Sequence, residues 1–93
     1  PPQRPAPLPA LLDRPFWLLD PPQPLKLSGH RPQYGGQALR LMRGPERIES
    51  GWWDPALTVR DYFVAEDAAA ARYWIYRERD DEHARWFLHG LYA

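Results

Sequence analysis

Residues 44–53 have the sequence GPERIESGWW, and the predicted strands are arranged on both sides of this stretch. Gly44-Pro45 predicts a turn, and residues 47–53 then predict a β-strand. Adjacent side chains of a strand point to opposite faces, so Trp52 and Trp53 place one large aromatic group on each side. Two aromatic faces require either a sheet covered on both sides or an exposed aromatic group for a partner.

Alternation of apolar and polar residues predicts further strands on both sides of this motif. Residues 67–71 are expected to form a hairpin connection. Short connections favour antiparallel pairing, and faces that mix apolar and charged groups are typical of a small twisted sheet. The sequence therefore predicts an all-β domain, a mainly antiparallel sheet curled into a small barrel-like roll. Its six predicted strands are residues 24–28, 38–43, 47–53, 59–66, 72–79 and 85–91.

Proline sets the organisation of the amino-terminal part, where five prolines precede Pro15. Because proline neither donates to a ladder nor continues a helix, we expect residues 1–15 to be a Pro-rich linker in polyproline II or disordered form. Residues 16–93 are expected to form one β interaction domain. Residues 16–19, FWLL, lie between prolines and predict a short edge strand or an extended arm.

Composition restricts the class of protein. The 93 residues suffice for one small core, and 12 basic against 12 acidic side chains argue against general duplex or membrane-surface binding. The lack of cysteine excludes disulfides and thiolate metal sites and fits a reducing compartment. No run is apolar enough to span a bilayer. We expect a cytoplasmic protein without membrane attachment and, because the chain starts at Pro1 without methionine, a fragment of a longer one.

Catalytic candidates are few. His30 and His83 lie in predicted loops beside charged residues, where solvation is their usual role. His89 lies in a predicted strand, where it either hydrogen-bonds inside the sheet or faces a partner. Asp61 and Glu49 are the carboxylates to consider, but nothing in the sequence places them beside His89. Phosphate loops, nucleophile elbows and metal-ligand spacings do not occur, so we expect no enzyme activity, no metal and no cofactor.

Aromatic and arginine side chains are the groups best suited to binding. Five Trp and five Tyr interleaved with Arg could form a stacking platform for single-stranded nucleic acid. Carboxylates are as numerous in the same strands, however, and weaken the attraction for phosphate. A protein interface fits better, because aromatic residues and Arg dominate interface hot spots, although the aromatic residues could also simply form the core. The candidate partner-binding residues are Phe16, Trp17, Arg47, Glu49, Trp52 and Trp53.

Several segments together resemble a known family. They are FWLLDPPQPL (16–25), LRLMRGPERIESGWWD (39–54), RDYFVAE (60–66), RYWIYRER (72–79) and WFLHGLYA (86–93). They are similar to the carboxy-terminal domain of the ImuB family, the Y-family polymerase-like proteins of the bacterial SOS mutagenesis cassette. The resemblance runs from about residue 15 to residue 93. The chain is also similar to small uncharacterised bacterial domains with the same strand and tryptophan spacing.

The resemblance implies a non-catalytic adaptor. ImuB-like proteins are taken to lack the polymerase catalytic acids and to link the sliding clamp, an ImuA-like accessory protein and an error-prone C-family polymerase during translesion synthesis. The carboxy-terminal domain of the family is associated with partner contacts. Residues 7–12, PLPALL, lack the glutamine of a clamp-binding motif, so clamp binding is expected in the upstream part of such an adaptor. No residue-level site of the family carries over to this chain.

Overall fold

The structure is a computed structural model, and it describes residues 14–49, 59–79 and 84–92. These residues form one antiparallel sheet in the order β3-β2-β1-β7-β6-β5-β4. The strands are β1 (Trp17–Ser28), β2 (Arg31–Tyr34), β3 (Gln37–Ala38), β4 (Arg40–Glu49), β5 (Val59–Glu66), β6 (Arg72–Arg79) and β7 (Ala84–Leu91). The sheet curls into a half-barrel, which confirms the predicted all-β roll.

Leu39 explains the direction in which the sheet curls. β3 and β4 lie at opposite ends of the sheet order, yet Leu39 alone separates them along the chain. Consecutive Cα atoms are about 3.8 Å apart, so the two ends of the sheet must approach each other. The Leu39 side chain is 1% exposed, and its N–H donates to the Pro32 carbonyl at 2.8 Å. The apolar cluster around it, here called the inner cluster, therefore lies on the concave side; its other buried members are Phe63, Ala65, Ile75, Trp86 and Leu88.

A second apolar cluster, here called the outer cluster, lies on the opposite face. Its buried members are Tyr62, Val64, Trp74 and Tyr76. β5 serves both clusters because its side chains alternate, with Phe63 pointing inward between the outward Tyr62 and Val64. A strand that is apolar on both faces has to be covered on both faces, and the middle of β5 is buried throughout.

β1 is longer than the strand predicted at 24–28, because it also includes most of the FWLL segment. Asp20-Pro21-Pro22 was expected to end that segment, but it lies within β1, where the register with β7 shifts between Leu18 and Gln23. On its other side, β1 pairs with β2 only at Lys26–Ser28. The prolines therefore lie where β1 has a single neighbour and a missing N–H costs little.

The turn predicted at Gly44-Pro45 is wrong. Both residues lie inside β4, so the predicted strands at 38–43 and 47–53 form one element from Arg40 to Glu49, where the described segment ends, and Ala38 belongs to β3. The register with β5 shifts on either side of Arg43, which is the mark of a β-bulge. Gly44 has a φ of 117°, a conformation that glycine tolerates, and a Cβ there would lie 2.6 Å from the Tyr62 carbonyl oxygen. The glycine produces a bulge and not a chain reversal.

The predicted connection at 67–71 does join two antiparallel strands, β5 and β6. Asp67 organises it: its Oδ1 accepts from the N–H groups of Ala69 at 2.9 Å and Ala71 at 3.0 Å. The Tyr73 hydroxyl donates to Asp67 Oδ2 at 2.8 Å. Burial, and then this carboxylate, raise the pKa of Tyr73 to about 12. Ala70 N–H also donates to the Asp67 backbone carbonyl at 3.1 Å, so both the backbone and the side chain of Asp67 hold the turn.

Candidate interaction site

The most exposed large apolar residues of the described chain lie side by side at the start of β1. Phe16, Trp17 and Leu18 are 81%, 67% and 61% exposed. Trp17 and Leu18 are adjacent in β1 and therefore point to opposite faces, and Phe16 precedes them at a bend; these three residues are here called the aromatic arm. The structure thus leaves the predicted Phe16 and Trp17 open to solvent. Sequence reasoning missed Leu18, although the unbroken FWLL run was a signal for it.

The two residues before the aromatic arm hold it against the outer face of the sheet. Arg14 Nη1 forms an ion pair with Glu46 Oε2 at 2.7 Å, and its guanidinium lies 5.1 Å from the centre of the Trp74 ring. Glu46 is only 8% exposed, and a buried carboxylate depends strongly on such a partner. Pro15 fills the space above Gly90, where a Cβ would collide with the proline ring. The contact of Arg14 with Glu46, here called the latch, fixes where the aromatic arm starts.

Arg47 belongs to a different ion-pair group, on the inner face. Its Nε donates to Asp61 Oδ1 at 3.0 Å, and Arg77 Nη2 donates to Asp61 Oδ2 at 3.3 Å. The hydrogen bond from Arg47 is the largest cause of the lowered pKa of Asp61. Asp61 is buried, so two guanidinium groups compensate one desolvated carboxylate. Arg47 therefore has a structural role in this ion-pair group. The lowered pKa of Asp61 follows from its two cationic partners and needs no catalytic explanation.

Arg47 and Glu49 do not share a surface with the aromatic arm. Trp17 pairs with Leu91, and this row of residues continues across the sheet to Leu41 of β4. Arg47 lies further along β4, where it pairs with Asp61, four residues or about 13 Å along β5 from the partner of Leu41. Glu49 is exposed at the end of β4, opposite Val59. The predicted Trp52 and Trp53 lie outside the described residues.

His89 is part of the outer cluster and has a hydrogen-bond partner. Its Nδ1 lies 2.7 Å from the Tyr62 hydroxyl, and its ring stacks on Trp74 with the centres 5.0 Å apart. Arg60 also donates to the Tyr62 hydroxyl oxygen, at 3.3 Å, which leaves the tyrosine proton available to His89 Nδ1. Burial, and then Arg60, lower the pKa of His89. Asp61 adjoins Tyr62 and therefore points to the opposite face, away from His89.

Arginine side chains cover the aromatic rings of the outer cluster. The Arg60 guanidinium lies 4.4 Å from the centre of the Tyr76 ring, and the Arg85 guanidinium 6.0 Å from that of Phe87. Tyr76 and Phe87 stack on each other at 5.0 Å. Since Tyr76 is only 2% exposed, its ring offers no open face to a nucleobase. In the described residues, the outer cluster is a packed second core and not an open stacking platform.

Two open grooves lie beside β1. One, of about 450 Å³, is lined by residues 23–26 and 33–36, and the other, of about 470 Å³, by Pro24, Leu25, Leu27 and residues 84–87. Neither lining contains a histidine or a carboxylate. In segments 14–49, 59–79 and 84–92, histidine, aspartate and glutamate side chains form no group of three that could hold a metal ion. The same segments contain no helix with the length and hydropathy of a membrane span.

The fold and the site together define a small all-β domain whose exposed aromatic arm is fixed to its own sheet by an ion pair. Two curated proteins match the chain, both named Protein ImuB, from Caulobacter vibrioides strains NA1000 / CB15N and ATCC 19089 / CIP 103742 / CB 15. Each is 32% identical over 66 residues, which cover 59% of this chain. The chain spans 14% of the length of these relatives, so the similarity is to a segment of ImuB. No family model matches the chain, and no solved structure does.

Proposed function

We propose that this chain is a non-catalytic protein-docking domain of an ImuB-like adaptor that acts in SOS-induced translesion mutagenesis. Its partners are an ImuA-like accessory protein and an error-prone C-family polymerase, and the sliding clamp binds another part of the adaptor. The similarity to a segment of ImuB supports the adaptor context. The docking role rests on the aromatic arm, which we propose as the partner-binding site.

The exposure of the aromatic arm is the observation that carries this proposal. Burying a side chain of the size of Phe, Trp or Leu contributes roughly 1.5–3 kcal/mol, so leaving three of them in water is costly for a small domain. The latch holds Arg14, the residue nearly next to them, in place on the fold. An arm that is already positioned loses little conformational freedom on binding, which favours association. Exposed, preorganised apolar groups are typical of a protein interface.

Single-stranded nucleic acid is the second candidate partner. It is favoured by the three arginines that lie over outer-cluster rings, namely Arg14, Arg60 and Arg85. Against it stand the burial of those rings and the pairing of Arg14 and Arg85 with carboxylates. Binding of a fluorescent oligonucleotide that weakens steeply with salt would support this candidate. A lack of binding across the salt range would remove it.

A pull-down tests the docking proposal. The chain is immobilised and offered the ImuA-like protein and the error-prone polymerase of one bacterium separately. Serine replaces Phe16 and Trp17 together in the test variant, which is expected to lower retention of at least one partner about tenfold or more, because aromatic anchors dominate interfaces. Both side chains are mostly exposed, so the thermal midpoint should change little.

The matched control replaces Leu41 and Met42 together by serine. These two side chains are adjacent and both 42% exposed, and they lie on β4, away from the aromatic arm. The control should retain both partners like the unchanged chain. Equal retention by the test variant and the unchanged chain would contradict the assignment of the aromatic arm. Failure of the unchanged chain to retain either protein would contradict the adaptor function itself.

A further inference from the structure

The two long free edges of the sheet differ in how well they resist pairing with another strand. β4, at one end of the sheet order, carries two register shifts, Pro45 and several exposed charges along its length. Such features are the usual means of preventing edge-to-edge association. Among the described strands, the amino-terminal part of β1 is the second free edge, since its pairing with β2 begins only at Lys26. In this part of β1, no charged side chain precedes Asp20.

Prolines leave a defined window open in β1. Pro15 precedes the window, and Pro21, Pro22 and Pro24 follow it. Residues 16–20 between them all have a backbone N–H, and they include the aromatic arm. A partner strand can therefore accept ladder hydrogen bonds from the N–H groups of this window that point away from β7, which belong to alternate residues, and its side chains would lie beside the exposed apolar groups. The window thus combines a backbone template with side-chain anchors.

Asp20 adds a charge to one end of the window. It is exposed, and no basic side chain in the described segments lies within ion-pair distance of it. Arg14, at the other end, is already paired with Glu46. The unsatisfied charge of the window is therefore negative, and a lysine or arginine of the incoming strand would complement it.

A second copy of this chain fits the window less well. Two windows paired antiparallel would place Asp20 opposite Phe16 of the other copy, which supplies no positive charge. Aromatic side chains bury about 150–250 Å² each, so two such windows would bury roughly half of the approximately 800 Å² per partner that stable interfaces need. The flanking prolines prevent a longer ladder. A separate protein can add contacts from its own surface beyond the window.

We propose that residues 16–20 accept an extended, proline-free segment of a partner protein, which adds a strand to β1 and places a basic side chain beside Asp20. This inference rests on the proposed docking function and specifies how the aromatic arm binds. The partner segment has apolar side chains at alternate positions, which lie on one face of the added strand beside Leu18, and β-branched polar side chains on the other face beside Trp17. The domain would thus recognise an extended backbone that carries apolar side chains at alternate positions and one basic side chain.

Amide hydrogen exchange of the chain, measured by NMR, tests the proposal with a synthetic probe. The probe is a short peptide of alternating valine and threonine with one central lysine. We expect it to slow exchange of the amides of residues 16–20 that point away from β7 by about tenfold or more, while β4 amides are unchanged. A counterpart N-methylated at alternate residues lacks half the backbone donors and should give no protection. A counterpart with glutamate in place of lysine should bind more weakly.

The Asp20→Lys variant is the matched test of charge, and it should prefer the glutamate peptide to the lysine peptide. Protection along β4, or equal binding of the N-methylated peptide, would overturn the proposal. So would protection without any peptide that rises with protein concentration together with a doubled mass in sedimentation, because a second copy would then occupy the window. Peptide protection with a negative pull-down would contradict the adaptor function alone, whereas a positive pull-down without peptide protection would contradict strand addition alone.

Discussion

At the scale of single residues, Glu46 shows how a charge fixes the aromatic arm. Its carboxylate is almost fully buried on an aromatic face, and Arg14 is the cation that meets it there. Removing one partner of such a pair leaves the other charge desolvated, which costs more than the pair contributes. The Arg14 side chain is 47% exposed, so the effect should be smaller than for a fully buried pair.

The first prediction concerns the latch. The Arg14→Ala variant should lower the free energy of unfolding in urea by about 1–2 kcal/mol, between the effects of exposed and buried pairs. In the double variant with Glu46→Gln, the buried charge is gone, and part of the loss should return. An Arg14→Ala variant as stable as the unchanged chain would show that the ion pair does not hold the arm.

The second prediction concerns His89 and pH. Its pKa in the folded chain lies below the ordinary 6.5, because burial and Arg60 disfavour the cation. On acidification the unfolded chain therefore binds this proton first, so the stability from neutral His89 is complete above pH 6.5 and declines below it. The decline is at most about 1.4 kcal/mol per pH unit for one proton.

His89→Gln is the variant that isolates this effect. Glutamine can accept the Tyr62 proton and does not titrate, so urea unfolding between pH 7 and about 5 should lose part of its pH dependence. His30→Gln, in the exposed turn before β2, is the control and should keep it. The pKa of Asp61 is lowered from the ordinary 3.8, so this residue changes the pH dependence of stability in a separate and more acidic range. Identical pH profiles for His89→Gln and the unchanged chain would contradict the assigned proton arrangement.

At the scale of elements, the aromatic arm and β7 fit together through Gly90. A Cβ at this position would lie 2.9 Å from the Trp17 carbonyl oxygen and would also collide with Pro15. The third prediction is that Gly90→Ala displaces the arm and lowers stability by about 1–3 kcal/mol, as overpacking does. NMR should show loss of the ring-current shift that Trp74 imposes on Arg14, together with weaker partner retention.

Pro15→Gly provides the internal check on this prediction. Removing the proline ring makes room for the new methyl group, so the double variant should regain part of the contact between Arg14 and Trp74. Recovery is expected to be incomplete, because the Trp17 backbone still crowds the site. Gly90→Ala with an undisturbed Arg14 signal would show that the arm does not depend on this fit.

Sequence periodicity predicted most strands, because the alternation of apolar and polar residues along a strand is visible in a short stretch of sequence. β5, β6 and β7 were predicted within one residue of their observed bounds. The breaks predicted at Gly44-Pro45 and Asp20-Pro21-Pro22 do not form, because a glycine or proline that ends a strand is not distinguishable by sequence from one at a bulge or free edge. Whether a break or a bulge forms depends on pairing with β5 and β7, which is non-local.

The candidate site was predictable in part for the same reason. Phe16 and Trp17 follow from an apolar run beside prolines. Leu18 required knowledge of the exposed edge, and the latch joins two residues 32 positions apart. No local pattern indicates that Arg14, in a segment interpreted as linker, meets a glutamate of β4. Residues 1–13 of the expected linker lie outside the described residues, and Arg14 and Pro15, its last two residues, pack on the sheet.

At the scale of the whole molecule, one small sheet supports two apolar clusters. Each cluster alone is small, and a domain of this length has few buried side chains available. Because β5 and β6 supply both clusters, the loss of one fully buried side chain should affect the entire fold cooperatively. The aromatic arm is attached to the outer face by its latch, so partner binding depends on this common stability.

The fourth prediction tests whether Leu39 closes the roll. Leu39→Ala creates a cavity where the two ends of the sheet meet, and it should lower the free energy of unfolding by about 2–5 kcal/mol. Leu41→Ala removes the same atoms two residues away, from a side chain that is 42% exposed, and should cost about 0.5 kcal/mol or less. Urea unfolding of both variants measures the difference. Since small domains are stable by only about 5–15 kcal/mol, the Leu39 loss is a large part of the total. Equal costs for the two variants would mean that the ends of the sheet are held together by other contacts.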